Sequence, residues 1–272
     1  MNSSLTLVIP ALTALVAAIL TSANGPTAAA STVAVFDNAS FVDTANNSFL
    51  SESDNVQATL SGLGHSVTTF TGFAAADFTA AFSANQVVLI PELEVADLNA
   101  SLTPAARTVI ANAVAGGKRL VVHGHNVRDN FLMNAVFGLS LSDGTAFGAG
   151  EAISQTPAAS GTAFAATPAT IAAHSTVFTI STSSLPPTYK SIYAIGGNTA
   201  VFTNATGSLV YLGWDWFNAA PLGTHNDWAS TLDAAVSFPV PEPGCAAMVG
   251  MAALWCVCRS RRRLAAKAAQ SV

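Results

Sequence analysis

His123 and His125 flank a glycine in Val122-His123-Gly124-His125, directly after an apolar run. In an extended chain, side chains two apart project to the same face, so the two imidazoles could share a metal ion or act as acid and base. With Asp37 or Glu92 they would form a two-histidine, one-carboxylate site. A loop histidine can equally serve as a plain hydrogen-bonding group, and that reading stays open beside the first. Gly213-Trp214-Asp215-Trp216-Phe217 is the second constellation. Its aromatics could stack on a sugar ring while Asp215 takes the hydroxyls, or they could close a sheet onto the helix that follows. His225 and Asp227 fit a helix cap better than a ligand site. Serine, histidine and aspartate are all present, yet the chain has no G-x-S-x-G elbow, no G-x-G-x-x-G and no phosphate loop. All three cysteines, Cys245, Cys256 and Cys258, lie near the C-terminus. Residues 31–240 therefore offer no thiol nucleophile and no disulfide framework. No cofactor is expected.

The elements that must position these residues follow from apolar patterning. Residues 33–38 form an apolar run suited to a buried strand, and Asp54–Leu63 carries Val56, Leu60 and Leu63 at helical spacing before Gly64. His65–Thr71 reads as a second strand, Ala74–Ser83 as a helix, and Gln86–Ile90 as a third strand stopped by Pro91. Leu102–Ala115 is a helix with proline in its first turn and Gly116-Gly117 after it; Arg119–Val122 is the fourth strand and Asn126–Phe137 a helix. This alternation predicts a mainly parallel α/β sheet covered by helices on both faces. Residues 139–185 read as loops and short edge strands. Ser191–Ala194, Thr199–Thr203 and Ser208–Gly213 are three further strands, and Asn226–Val236 is a last helix. Parallel sheets bind ligands outside the carboxyl ends of their strands. On this assignment those ends carry Asp37, Glu92, His123, His125 and Asp215, the candidate ligand-binding residues.

Charge divides the chain. Of 272 residues, 51% are hydrophobic and 9% charged, against about 25% charged in an average soluble domain, which argues against disorder. The net charge of −5 argues against a nucleic-acid partner. Residues 31–240 hold five basic against fourteen acidic side chains, whereas five of the ten basic residues fall in the last fourteen positions. Leu5–Leu20 is sixteen residues without a charge, short for a spanning helix and suited to a secretory signal, although no Lys or Arg precedes it. Ala28-Ala29-Ala30 offers a cleavage site for signal peptidase, with Ala23 as the alternative. Near the other end, Pro241-Glu242-Pro243 precedes fifteen apolar residues, Gly244–Cys258, and then Arg259, Arg261, Arg262 and Arg263. A short apolar helix with a basic stop would sit in a membrane with its arginines toward the cytoplasm. The three parts in that order resemble the PEP-CTERM sorting signal. The resemblance implies export across the inner membrane of a Gram-negative bacterium, processing by an exosortase-like enzyme, and residence at the cell surface or in an exopolysaccharide matrix.

The body, 31–238, between a signal peptide (1–30) and a sorting segment (239–272), resembles the class I glutamine amidotransferase-like fold, a flavodoxin-like three-layer sandwich. The resemblance rests on VAVFDN, on GGKRLVVHG and on the ending SLVYLGWDWFNAAPLGTHNDWASTLDAAV. That family delivers a cysteine at a sharp turn after the fourth strand. Here the turn reads Val122-His123-Gly124-His125, so the family's chemistry is not expected. The expectation is a non-catalytic amidotransferase-like domain binding glycan or a partner. The alternative is a metal-assisted hydrolase built on His123, His125 and a carboxylate.

Overall fold

Strands that are apolar at every position need cover on both faces, and the alternation of side chains along each strand assigns that cover residue by residue. The computed structural model describes residues 30–44, 51–173, 175–217, 219, 223 and 227–237. These belong to one compact unit, Ala30–Phe238. The signal-peptide run and the Pro241–Arg263 sorting motif lie outside the described residues. Among the described residues, no helix is long and apolar enough to cross a membrane.

In chain order the elements are β1 (Thr32–Phe36), α1 (Glu52–Gly62), β2 (Ser66–Phe70), α2 (Ala75–Ala84), β3 (Val87–Ile90), α3 (Leu98–Ser101), α4 (Pro104–Ala115), β4 (Arg119–His123) and α5 (Asn126–Phe137). There follow β5 (Ala152–Gln155), β6 (Thr170–Ala172), β7 (Ile180–Ser181), β8 (Lys190–Ile195), β9 (Asn198–Thr203), β10 (Leu209–Leu212) and α6 (Trp228–Val236). The strands join one sheet in the order β2-β1-β3-β4-β10-β9-β8-β5-β6, with β7 paired to β9. From β2 to β10 every neighbour is parallel. From β10 outward the pairs are antiparallel.

The parallel half is the expected sandwich. Val33 and Val35 of β1 pack with Val56 and Leu60 of α1 and Trp228 and Leu232 of α6. On the opposite face, Ala34 and Phe36 pack with Phe78 of α2, Ile110 of α4 and Leu132 of α5. Local signals set the helix starts: the Ser51 hydroxyl caps α1 by accepting from the Asp54 N–H, and the Thr103 hydroxyl caps α4 ahead of Pro104. Arg119, 4% exposed, donates from Nη1 to the carbonyls of Ala235 (2.9 Å) and Ser237 (2.5 Å), tying the start of β4 to the C-terminal end of α6. A cation suits the unsatisfied carbonyls and negative dipole end there, and although burial lowers its pKa to about 10, Arg119 stays charged at neutral pH.

The structure departs from expectation at the end of β1 and in a short extra helix, and meets it over residues 139–185. Strand β1 ends at Phe36, so Asp37 and Asn38 stand in the loop beyond it. Residues 139–185 hold the short strands β5, β6 and β7 among loops and single 3-10 turns, as their weak alternation suggests, and these strands extend the sheet through antiparallel pairs. The one-turn helix α3 is too short for apolar periodicity to announce; it is capped by the Asp97 carboxylate, which accepts from the Asn99 N–H at 2.9 Å.

Candidate functional site

The strand order β2-β1-β3-β4-β10 reverses direction between β1 and β3, and in such sheets that crevice, at the carboxyl ends, is where ligands bind. Each strand there delivers one candidate. Beyond β1, Asp37 Oδ1 accepts from the Ser53 hydroxyl at 2.8 Å, anchoring the loop to the first turn of α1. Beyond β3, Pro91 ends the strand and Glu92 turns inward, 3% exposed. At the end of β4, His123 is fully buried and its ring stacks on Trp216, with centroids 5.6 Å apart and planes at 20°. Beyond β10, Asp215 Oδ1 accepts from the Phe217 N–H at 2.7 Å.

The two histidines part company. Gly124 closes the sheet, its N–H bonded to the Leu212 carbonyl, and His125 already stands at the N-cap of α5, where its N–H donates to Asp129 Oδ1 at 3.0 Å. His125 Nδ1 hydrogen-bonds Glu92 Oε1, while neither ring nitrogen of His123 has a partner. No group of three metal-ligating side chains among the described residues includes either histidine. The two imidazoles therefore engage different partners, because the strand ends between them. Trp214 and Trp216 are both fully buried, with rings 4.5 Å apart, and Trp214 stacks on Trp228 of α6 at 5.3 Å. They pack the sheet onto α6 and present no face to a sugar.

What does converge is acidic. Carboxylate oxygens of Glu52, Glu92 and Asp215 all lie within 4.8 Å of one another, and those of Asp43, Glu52 and Glu94 do likewise. Glu52 belongs to both sets. Burial pushes its carboxyl up to about 8, with Glu94, Asp215 and Asp43 adding to the rise and a backbone hydrogen bond opposing it. Burial, then the charge of Asp215, holds Glu92 well above the carboxylate range, and burial raises Asp215 as well. Burial lowers His125 to about 4, with Arg128 adding to the effect. Burial thus disfavours the charged form of both partners in the Glu92–His125 contact. His123, pushed by burial to about 3, is neutral too.

No protein-family model matches the chain, and no curated protein matches it in sequence. Solved structures do. A protein described as a GMP synthase subunit from Thermoplasma acidophilum superposes with a TM-score of 0.50 at 11% identity, over 77% of this chain and 94% of that one. PurLQS from Thermotoga maritima gives 0.49 at 10% identity, over 76% and 98%. A glutamine amidotransferase from the same organism gives 0.43 at 10%, over 68% and 75%. The chain is similar in fold to that GMP synthase subunit.

The turn after β4 is closed as well as lacking cysteine. A Cβ built on Gly124 would fall inside the Tyr211 hydroxyl and reach 3.0 Å from the Gly213 Cα. Tyr211 cannot yield: it is fully buried, its hydroxyl donates to the Phe178 carbonyl at 3.0 Å, and its ring stacks on Phe202 at 5.2 Å.

Sequence reasoning placed Glu92 and Asp215 at the right edge but missed Glu52, Glu94 and Asp43. Glu52 follows the capping serine of α1 and reads as an ordinary first-turn acid; Glu94 repeats Glu92 two residues on, in Pro91-Glu92-Leu93-Glu94. That repeat at a strand end was the available signal. His123→Phe is expected to raise stability by about 1 kcal/mol, since it keeps a ring on Trp216 and removes two orphaned buried nitrogens. Denaturant melts check this; a large loss would show that the imidazole has a polar role.

Proposed function

We propose that this chain is an exported, surface-sorted protein whose amidotransferase-like domain binds a ligand and does not carry out amide transfer. The carrying observation is the turn after β4, where Gly124 leaves no room for a side chain against Tyr211 and no cysteine occurs between residues 31 and 240. The acidic crevice at the β1/β3 switch point supplies the binding site, with Glu92 and Asp215 from the strand ends. Export rests on the sequence alone: the Leu5–Leu20 run, the alanines before Ser31, and Pro241-Glu242-Pro243 with its apolar stretch and arginines. Signal peptidase and an exosortase-like enzyme are the processing partners, the membrane holds the precursor, and exopolysaccharide or another surface component is the expected surrounding.

Intact mass of the protein from each cell fraction tests this reading. A species beginning near Ser31 and ending near Pro241 in the outer fractions is expected. A full-length C-terminus confined to the inner membrane would overturn surface sorting. A metal-assisted hydrolase on His123 and His125 has no geometric support, because the two imidazoles face different partners.

A further inference from the structure

Glu52 and Glu92 are each 3% exposed, and on each the Oε2 atom has no hydrogen-bond partner. Both belong to the set, completed by Asp215, whose oxygens lie within 4.8 Å of one another. Among the described residues no lysine or arginine forms an ion pair with any of the three. Carboxyl groups held this close and out of water ionise together only with a positive partner among them, and a buried acceptor left unpaired costs free energy. Something positive between them would satisfy both requirements.

We propose that Glu52, Glu92 and Asp215 bind a hard divalent cation, Ca²⁺ in preference to softer metals, with Asp43 and Glu94 as flanking carboxylates on its way in. The donor set is oxygen throughout, with no sulfur or imidazole, which selects against Zn²⁺ and Cu²⁺. Exposure is graded along the path: Glu94 exposed, Asp43 and Asp215 half-buried, Glu52 and Glu92 buried. His125 holds Glu92 by Oε1 and leaves Oε2 for the ion, the outer-shell role that a hydrogen-bonded imidazole plays for a ligating carboxylate. This inference rests on the binding-domain reading and names what its crevice holds.

The test uses the purified full chain, freed of metal with a chelator, and Tb³⁺ as a luminescent substitute for Ca²⁺. Trp216 adjoins Asp215 in the chain, so excitation of the tryptophans should give saturable Tb³⁺ emission that Ca²⁺ displaces and Zn²⁺ does not. The Glu52→Gln/Glu92→Gln double variant is expected to lose at least about tenfold in Tb³⁺ affinity while melting at or above the temperature of the metal-free wild type. Added Ca²⁺, and not NaCl of equal ionic strength, should raise the melting temperature of the wild type, a readout that needs no variant. Absence of saturable emission, emission unchanged in the double variant, or a melting temperature indifferent to Ca²⁺ would overturn the proposal. Intact masses from cell fractions are unaffected by any of these outcomes, so the cation site and surface sorting fail separately.

Discussion

Asp129→Asn is expected to stabilise the protein at pH 8 by roughly 3 kcal/mol and to change little at pH 4. Asp129 is fully buried in α5, and burial raises its carboxyl from 3.8 to about 8. The folded state therefore holds this proton where the unfolded state has released it. Below about pH 4 both states are protonated and no penalty exists. As pH rises from there toward 8, stability falls by up to about 1.4 kcal/mol per pH unit, and above 8 the loss levels off. Asparagine keeps an oxygen for the His125 N–H, which Asp129 Oδ1 now accepts at 3.0 Å, and removes the ionisation. The full theoretical gain would exceed 3 kcal/mol, but Oδ2 has no partner, and an amide NH₂ placed there is left wanting one. Urea melts at pH 4, 6 and 8 measure the slope. Glu52, Glu92 and Asp215, also raised by burial, add to the slope in both proteins, and His123 and His125, lowered by burial, oppose it below about pH 6.5, so the variant should lose less stability from pH 4 to 8 than the wild type by the share that Asp129 contributes. Identical slopes in the two proteins would show that Asp129 ionises without cost.

Gly124→Cys, which installs a thiol at the turn after β4, is expected to destabilise the fold by about 3 kcal/mol or more and to yield no glutamine hydrolysis. The added Cβ meets the Tyr211 hydroxyl and ring and comes within 3.0 Å of the Gly213 backbone. Gly213 cannot retreat, because its N–H is bonded to the Ala200 carbonyl and its own carbonyl accepts from the Phe178 N–H at 2.6 Å. Tyr211→Phe in the same chain removes the nearest clashing atom and should restore part of the loss; the remaining ring carbon prevents full recovery. Chemical denaturation gives the stabilities, and ammonia release from glutamine gives the activity. A single variant as stable as the parent would mean that the turn has space for a nucleophile, and the non-catalytic reading would lose its principal support.

Much of this molecule was legible in the chain. Runs such as Val87–Ile90 and Leu120–Val122 can only be strands covered on both sides, and Thr103-Pro104, Gly116-Gly117 and Gly138 bracket α4 and α5 through local backbone chemistry. Because a parallel sheet gathers its strand ends along one edge, the same reading put Glu92, His123 and Asp215 in one neighbourhood. The absence of a cysteine from residues 31–240 is a fact of the sequence alone.

Tertiary structure decided how those residues are used. The rule that side chains two apart share a face holds within a strand; it lapses for His123 and His125 because the chain leaves β4 and enters α5 between them. His123 then stacks on Trp216, 93 residues away in sequence, and His125 turns to Glu92. The weak patterning of residues 139–185 announces short edge strands without fixing their bounds or pairing, since edge strands are chosen by the partners that reach them. Glu52 looked like a helix-start acid, and it is one; its place in the carboxylate cluster arises because α1 packs where the ends of β3 and β10 converge. Periodicity records which way a side chain points within its own element. Which charges meet depends on packing between elements far apart in the chain, and no local pattern encodes that.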